Sequence, residues 1–407
     1  MKKEKQDVKK LIQINTVCNA STGRIMYDIQ KQAIANGYYT LSIVGRRKCF
    51  MDVPCVKYGN FLSFWWHVGI TTLFDRHGYG SYFSTRKIIN RLRKEKPDII
   101  HMHNLHGYYL HIPSLMHYLK EEFQGEIFWT FHDCWPFTGH CAYYTMAGCE
   151  KWKTGCEKCP NKRQYPISLF KDESKRNYQD KQKFFGGLKN LTIIVPSGWM
   201  KKQVQASFLK DYRVVVVQNG IDLTQFSYTP DERVLQKYRI PADKKILLGV
   251  ANVWDERKGL RDFKLLAKQL PSEYQIVLVG LTKRQIAGLP VQITGIKRTE
   301  NREELTALYS MAEIFINPSL EESFSLVTVE AFACGTPAIV LDTSAVKELI
   351  TDTNGLVLHH HAPSDYLEAI CRLQTDKPDA AAIRKTAEKY AREIAASKIV
   401  ELYEENR

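Results

Sequence analysis

The chain has 407 residues, of which 44% are hydrophobic and 25% are charged, a globular composition that excludes the disordered and fibrous classes. A chain of this length exceeds one ordinary core and predicts two domains of similar size. The formal net charge of +14 indicates an anionic partner, which could be nucleic acid, a phosphorylated small molecule or an acidic membrane surface.

The start of the chain predicts a strand and no secretory signal. The basic segment MKKEKQDVKK is followed by an apolar stretch that Asn15 and Asn19 interrupt. No run reaches the ~18 apolar residues that a membrane span needs, and the longest uncharged run, Phe61 to Phe74, has the length of an interfacial or core segment. We therefore expect a cytoplasmic protein, at most peripheral on that side of the membrane. Its ten cysteines should be thiols or metal ligands before they are disulfides.

The first elements predict a parallel α/β domain. LIQIN has the composition of a buried strand, TVCNASTG that of a loop, and RIMYDIQKQAIANG has helical periodicity before a second strand, YYTLSIVG. The loop with Ser21, Thr22, Gly23 and Arg24 falls at the carboxyl end of the first strand, where open α/β sheets place ligands. The alternative is a capped helix with a surface arginine.

Residues 58–96 alternate aromatic and basic character. Such a block could dock at a lipid headgroup surface, with rings in the interface and cations over the phosphates. The cations are Arg86, Lys87, Arg91, Arg93, Lys94 and Lys96. The competing interpretation is a helix pair whose aromatic side chains only cover the domain core.

Polar residues follow two further predicted strands. PDIIHMHN ends with His103 and Asn104, and EIFWTFHD ends with His132 and Asp133. Because parallel strands collect such residues at one sheet edge, we expect a site there, in a crevice between the two domains.

A cysteine-rich region follows directly. Cys141, Cys149, Cys156 and Cys159 are close in sequence, and the closing Cys-x2-Cys has a zinc-knuckle spacing. We predict a structural zinc that stiffens a long loop lacking its own core, with Cys134 or His140 as substitutes for one ligand. Disulfides within the loop and free buried thiols are the alternatives.

The first domain is expected to end at residue 222. LTIIVPSGWM is typical of its last strand, and RVVVVQNGID supplies another strand, which ends at Asn219 to Asp222. Residues 223–243 are polar, contain scattered prolines and predict a linker. KKILLGVANV then begins a second α/β domain over residues 244–385, and the helical tail covers residues 386–407.

Two adjacent cations follow the first strand of the second domain. Arg257 and Lys258 stand just before Gly259 and a helix, so they could neutralise a diphosphate, including the charge that grows on a leaving group. A solvated basic start of a helix is the alternative.

The segment NPSLEESFSLVTVEAFACGTP, Asn317 to Pro337, predicts a strand end, a polar loop, a short helix and a stop at Gly335. Its loop from Glu322 to Leu326 lies at a helix N-terminus, which favours an anion such as a diphosphate. Glu322 and Glu330 flank that position and could accept hydrogen bonds from a sugar on one side and a ribose on the other. An ordinary buried helix with solvent-facing acids is the alternative.

This segment resembles the signature of retaining family 4 glycosyltransferases with the GT-B fold. The shared features are the Pro-Ser strand end, Glu-x7-Glu and Ala-x-Ala-Cys-Gly-x-Pro. The chain departs from the family in having Ser323-Phe324-Ser325 for the usual Gly-Phe-Gly, and Val253 in the usual place of an arginine that Arg257 would replace. The block from His132 to Cys141 is similar to one in bacterial capsule and exopolysaccharide transferases of this family.

The resemblance implies two doubly wound Rossmann-like domains, an interdomain cleft and a C-terminal helix that crosses back to the first domain. It implies that a hexose-type sugar moves, with retention, from a nucleotide-sugar to a polysaccharide precursor, for which polyprenyl diphosphate is a candidate carrier. No catalytic metal and no nucleic acid partner are expected.

The site residues implied are His132, Glu322 and Lys258 for catalysis, and for the donor Arg257, Lys258, Glu330 and the backbone of Phe324, Ser325 and Leu326. Gly23 and Arg24 would approach the diphosphate and the acceptor. The alternatives are a nucleotide-sugar epimerase or phosphorylase-like enzyme on the same fold, and a zinc-stabilised module that binds nucleic acid or membrane.

Overall fold

A computed structural model describes residues 8–49 and 52–405. The chain divides into two compact units. The first unit runs to Gln218 and includes the last helix from Ala395 onward, and the second unit comprises Asn219–Ile394. The basic start of the chain at residues 1–7 and the last two residues of the predicted tail helix lie outside the described residues.

The first unit is built on a seven-stranded sheet in which all neighbouring strands are parallel, in the order β3-β2-β1-β4-β5-β6-β7. The strands are β1 Lys10–Asn15, β2 Tyr39–Val44, β3 Cys55–Lys57, β4 Ile99–Met102, β5 Glu126–Thr130, β6 Leu191–Val195 and β7 Arg213–Val216. The central strands are buried along almost their whole length, because helices cover both faces of such a sheet.

The helices of the first unit lie between these strands, with one at the end of the chain. They are α1 Ser21–Ala35, α2 Phe61–Phe74, α3 Tyr82–Glu95, α4 Ile112–Glu121, α5 Ser174–Phe185, α6 Gly198–Gln205 and α14 Arg392–Glu405. The first three residues of α14 belong to the second unit and the rest to the first. Tyr403 of α14 packs edge-on against Phe128 of β5, with ring centroids 4.8 Å apart.

The second unit is built on a six-stranded parallel sheet in the order β10-β9-β8-β11-β12-β13. Its strands are β8 Lys245–Val250, β9 Tyr274–Val279, β10 Ile293–Ile296, β11 Ala312–Asn317, β12 Ala338–Leu341 and β13 Gly355–Leu358. Its helices are α7 Glu232–Tyr238, α8 Leu260–Leu266, α9 Lys283–Ala287, α10 Arg302–Met311, α11 Leu326–Ala333, α12 Pro363–Thr375 and α13 Ala380–Glu388.

Both strand orders confirm the predicted pair of doubly wound sheets. In each sheet the order reverses between two central strands, β1 and β4 in the first unit and β8 and β11 in the second. Ligands of open α/β sheets bind outside the carboxyl ends of the strands at this switch point. The segments that follow these four strands are therefore where a site is expected.

Four details differ from the sequence-based expectation. Residues Ser21 to Arg24 form the first turn of α1 and not a loop. The strand LTIIV is not the last of its sheet, because β7 pairs beside it. The predicted linker at 223–243 contains α7, and its Phe226 and Val234 are buried in the core of the second unit.

The predicted single tail helix is also interrupted, between α13 and α14. The backbone there pairs with Ile221 instead of continuing the helix. The Ile221 amide donates to the Tyr390 carbonyl at 2.8 Å, and the Arg392 amide donates to the Ile221 carbonyl at 2.9 Å.

Candidate functional site

In the second unit, the predicted cations and the signature loop meet at the switch point. Arg257 and Lys258 lie in a short 3-10 turn after β8, and the loop with Glu322 follows β11. The Leu320 amide donates to the Arg257 carbonyl at 2.8 Å, and the Arg257 guanidinium donates to the Glu321 carbonyl at 2.9 Å. Two segments distant in sequence are thus held together by one backbone hydrogen bond and one hydrogen bond from a side chain.

Gly259 allows this close approach. Its φ is +73°, and a Cβ built on it would lie 2.6 Å from the carbonyl oxygen of Pro318. The Asp255 carboxylate caps the same turn, accepting a hydrogen bond from the Lys258 amide at 3.0 Å. Sequence reasoning missed Asp255, although an aspartate three residues before the second cation is a recognisable capping signal.

Lys258 and Glu322 form a direct ion pair between largely buried side chains. Burial raises the pKa of Glu322, but the charges of Lys258 and Arg257 outweigh it, so the pKa of this carboxyl lies below its usual range. Glu322 is therefore ionised at neutral pH. The predicted diphosphate-binding cation and the predicted sugar-binding acid are thus in contact with each other.

The short helix α11 begins where the signature predicts, and Gly335, at φ +84°, follows its C-terminus. Its first residue is preceded by Ser325, which has φ +98° and stands where the family usually has glycine. The Ser325 hydroxyl hydrogen-bonds to Asn317 at 3.0 Å and to Thr328 at 2.9 Å. These buried contacts hold a serine in a backbone conformation that favours glycine, so the substitution keeps the geometry of the loop at a cost in strain.

Glu330 lies in the middle of α11 and is partly buried. One of its carboxylate oxygens accepts a hydrogen bond from the Tyr309 hydroxyl at 3.0 Å. Burial, together with the Glu330 charge, raises the pKa of Tyr309 well above its usual range, so the tyrosine remains a donor. This contact fixes the position of the Glu330 carboxylate. Phe324, between the two serines, is buried and packs edge-on against Tyr390.

In the first unit, His103 and His132 follow β4 and β5 and stack with their ring planes 14° apart. His103 Nδ1 lies 3.2 Å from His132 Nε2, and His103 Nε2 lies 3.1 Å from the side-chain oxygen of Gln13. The Gln13 amide nitrogen donates to the Met26 carbonyl at 2.9 Å. Sequence reasoning singled out both histidines but missed Gln13, a polar residue inside an apolar strand, which was the available signal.

This network assigns the tautomers of both rings. Because Gln13 presents its oxygen, His103 donates from Nε2 and accepts at Nδ1, and His132 must donate from Nε2. Burial lowers the pKa of His132 to about 4, so the ring is neutral and its Nδ1 is unprotonated. A neutral imidazole can form hydrogen bonds with a sugar hydroxyl.

Gly23 and Arg24 lie near the carboxyl end of β1, in the first turn of α1. Gly23 packs tightly: a Cβ built on it would lie 2.3 Å from the backbone carbon of Cys18. Asp133, next to His132, receives a hydrogen bond from His106 at 2.7 Å. That carboxylate therefore has a partner within the first unit.

The predicted zinc site receives no support. Within residues 8–49 and 52–405, no group of three or more His, Cys, Asp or Glu side chains is arranged to hold a metal ion. Cys141, Cys149, Cys156 and Cys159 are free thiols, and the substitute ligand His140 contacts the Asp75 carboxylate at 2.5 Å.

Aromatic packing supplies the core that the loop was expected to lack. The buried Trp152 lies against Phe137 and Tyr144, with ring centroids 5.1 and 4.9 Å away, and all three belong to the main core of the first unit. Outside this loop, the expectation that the cysteines are reduced is wrong for one pair, because Cys49 and Cys55 form a disulfide.

Comparisons with known proteins agree with this geometry. Residues 62–225 match the family model described as Glycosyltransferase Family 4, and residues 231–390 match Glycosyl transferases group 1. The chain is 26% identical over 327 residues to a putative colanic acid biosynthesis glycosyl transferase, WcaC, of Escherichia coli, covering 77% of this chain and 75% of that protein.

Two solved structures share the fold. Sucrose-phosphate synthase from Thermosynechococcus elongatus superposes with a TM-score of 0.72 at 17% identity, covering 98% of this chain and 99% of the other. Alr3699/HepE from Anabaena, in complex with UDP-glucose, gives a TM-score of 0.67 at 14% identity, covering 97% and 99%. The two family models and the similarity to WcaC displace the alternative of a non-enzymatic binding module. The two family models and the two doubly wound sheets together show that the chain is a glycosyltransferase of family 4 with the GT-B fold.

Proposed function

We propose that the protein transfers a hexose-type sugar, with retention of configuration, from a nucleotide-sugar to a glycan precursor of a polysaccharide. The observation that carries the proposal is the meeting of Arg257 and Lys258 with the signature loop and α11 at the switch point of the second sheet. A similarly folded protein has been solved with UDP-glucose, and the relative WcaC is named for colanic acid biosynthesis.

In this proposal the second unit binds the donor. The amides of Phe324 to Leu326 at the start of α11 and the two cations hold the diphosphate. Glu330, fixed by Tyr309, accepts hydrogen bonds from the ribose. Glu322 accepts hydrogen bonds from the sugar while it stays near Lys258, whose ammonium group can donate to a carboxylate and a phosphate at once.

The chemical step breaks the bond between the anomeric carbon and the diphosphate oxygen and forms a bond to the acceptor oxygen on the same face. The acceptor's proton passes to the leaving phosphate oxygen. Arg257 and Lys258 stabilise the charge that develops on the leaving group. His132 is proposed to accept a hydrogen bond from a sugar hydroxyl, and Gly23 and Arg24 to lie toward the diphosphate and acceptor.

The proposed acceptor is a glycan linked to polyprenyl diphosphate. A cytoplasmic location, with the protein peripheral on the inner face of the cytoplasmic membrane, is part of the same proposal. An exposed apolar surface on the first unit, which includes Leu62 and Trp66, supports the lipid-linked carrier.

The test begins with a thermal-shift screen against UDP-, GDP-, ADP- and dTDP-sugars, since a specific ligand stabilises the native state by mass action. The donor found is then incubated with and without acceptor. Transfer should require acceptor and should fall at least ~100-fold in Lys258→Met, which removes a cation that stabilises the developing charge on the leaving group. Transfer should also fall in Glu330→Gln, because the ribose loses its contact with a carboxylate. The exposed Lys268→Met is the matched control. Conversion of the donor alone would indicate an epimerase, and full activity in either site variant would refute the proposal.

A further inference from the structure

Helix α2 exposes several large apolar side chains, and the residues that it buries are polar. Its 14 residues include no Asp, Glu, Lys or Arg. The two buried residues of the helix are His67 and Thr71. Leu62 is 80% exposed and Trp66 is 68% exposed, whereas the next residue, His67, is 1% exposed. Packing within the chain does not account for a helix in which tryptophan and leucine face outward.

Hydrogen bonds fix this orientation. His67 Nδ1 lies 3.1 Å from the Ser81 hydroxyl, and His67 Nε2 accepts from the Gly78 amide at 2.9 Å. A Cβ built on Gly80 would lie 2.4 Å from the His67 ring, so the fit is close. Rotating α2 to bury its tryptophans would break these bonds. The outward face is therefore built into the fold.

Two neighbouring segments extend the apolar face. The Ser84 and Ser63 hydroxyls, 3.4 Å apart, join the first turn of α3, with its exposed Tyr82 and Phe83, to the first turn of α2. The Leu169 amide donates to the Thr72 carbonyl at 2.9 Å, which brings the exposed Leu169 and Phe170 to the end of α2. We define the α2 surface as Phe61, Leu62, Trp65, Trp66, Leu73, Phe74, Tyr82, Phe83, Leu169 and Phe170.

Cations border the α2 surface. The Lys171 ammonium lies 5.6 Å from the centroid of the Phe74 ring, and the Lys162 ammonium donates to the Phe170 carbonyl at 3.1 Å. On α3, the exposed Arg86 and Lys87 follow Phe83 within one turn.

The basic residues predicted for this role contribute unequally. Arg91 is paired with Glu95 at 2.7 Å, and Arg93 is paired with Glu122 at 2.7 Å. Their charge is offset within the chain. The cations that remain close to exposed aromatic residues are those at the start of α3 and at Lys162 and Lys171.

We propose that the α2 surface docks into the headgroup region of a lipid bilayer that contains anionic lipid. Tryptophan, phenylalanine and leucine bordered by lysine and arginine are typical of interfacial membrane binding, whereas protein interfaces are depleted in lysine. The positive charge of the cations that border the α2 surface complements anionic headgroups and not a neutral protein surface. The inference rests on the proposed function and deepens it. An enzyme bound to the bilayer would meet a lipid-linked acceptor at the membrane surface.

The test is co-sedimentation of the full chain with vesicles of phosphatidylcholine mixed with phosphatidylglycerol, compared with phosphatidylcholine alone. The double variant Leu62→Ser/Trp66→Ser should lower the partition coefficient at least ~10-fold, as expected for loss of two interfacial apolar side chains. Val291→Ser, 88% exposed on the second unit, is the matched control and should bind like the unsubstituted protein. Brominated phosphatidylcholine in the anionic vesicles should quench tryptophan fluorescence in the unsubstituted protein.

Absence of binding to anionic vesicles, or equal binding by the double variant and the control, would overturn the inference. Self-association that the double variant abolishes, without vesicle binding, would also overturn it and would identify the α2 surface as a protein interface. Transfer to a water-soluble glycan should be unchanged in the double variant. Failure of transfer in the unsubstituted protein would contradict the proposed function and leave vesicle binding as a separate result.

Discussion

His103 Nδ1 lies 3.2 Å from His132 Nε2, and His103 is itself held by Gln13. His103 is therefore a positioning residue for His132, the proposed contact to the donor sugar. We expect His103→Leu to lower kcat/KM for the donor about 10-fold to 100-fold, the effect of losing a buried hydrogen bond that orients a reacting group.

The control for this prediction is His103→Gln, whose side-chain oxygen can still accept from His132. It should retain more activity than His103→Leu, while both variants keep the circular dichroism spectrum of the unsubstituted protein. Equal losses in the two variants would indicate that His103 acts only through packing.

The ion pair between Lys258 and Glu322 predicts opposite effects of one substitution on two ligands. Glu322→Gln should abolish sugar transfer, because the sugar loses its carboxylate contact. The same change removes the negative charge beside the Lys258 ammonium, so the site attracts phosphate more strongly. A nucleoside diphosphate without sugar should therefore raise the Tm of Glu322→Gln by more than it raises that of the unsubstituted protein.

Lys258→Met provides the matched comparison, since it removes the cation instead of its partner. Its Tm should respond least to the nucleoside diphosphate. A smaller response in Glu322→Gln than in the unsubstituted protein would show that the pair does not compete with phosphate.

Ser325 has φ +98°, so its backbone strain can be measured by comparing two variants that both lack the hydroxyl. We expect Ser325→Gly to be more stable than Ser325→Ala by about 1 kcal/mol, because only glycine adopts this region without steric cost. The measurement is the free energy of unfolding in urea. Equal stability of the two variants would show that residue 325 does not keep a positive φ in solution.

Buried histidines predict that stability falls in mild acid. Burial lowers the pKa of His67 and His101 to about 3 and that of His132 to about 4, from an ordinary value of 6.5. Between pH 6.5 and pH 4 the unfolded chain binds these protons and the folded chain does not, so the free energy of unfolding decreases as the pH falls. Each histidine contributes a slope of up to about 1.4 kcal/mol per pH unit.

The experiment is urea unfolding of the full chain at neutral pH and at about pH 5, a range within which ordinary histidines become protonated. His101→Gln should show a shallower dependence on pH than the unsubstituted protein. An identical dependence in both would contradict a neutral, buried His101.

The sequence predicted the central strands of both sheets, because these strands are apolar runs buried on both faces. It located α11, since the strand end, the polar loop and Gly335 each have a local signal. It did not predict β3, whose three residues, Cys55–Lys57, are too few to show a pattern. The break before α14 was equally invisible, because it depends on pairing with the distant Ile221.

The cysteine-rich loop shows where residue counts mislead. Four cysteines at suggestive spacing predicted a metal, but the same loop contains Phe137, Tyr144 and Trp152, whose packing stabilises it. Conversely, the sequence alone does not determine whether the aromatic residues of α2 face the core or a membrane surface. Only the buried position of His67 decides which face turns outward.

The central claim is that the donor's diphosphate binds at the N-terminus of α11, beside Arg257 and Lys258. The most direct measurement is a crystal structure with the nucleotide-sugar that gives the largest thermal shift. We predict phosphate oxygens within hydrogen-bond distance of the Ser325 and Leu326 amides and of both cations, with the ribose hydroxyls on Glu330. A donor bound elsewhere, with that loop unoccupied, would contradict the account.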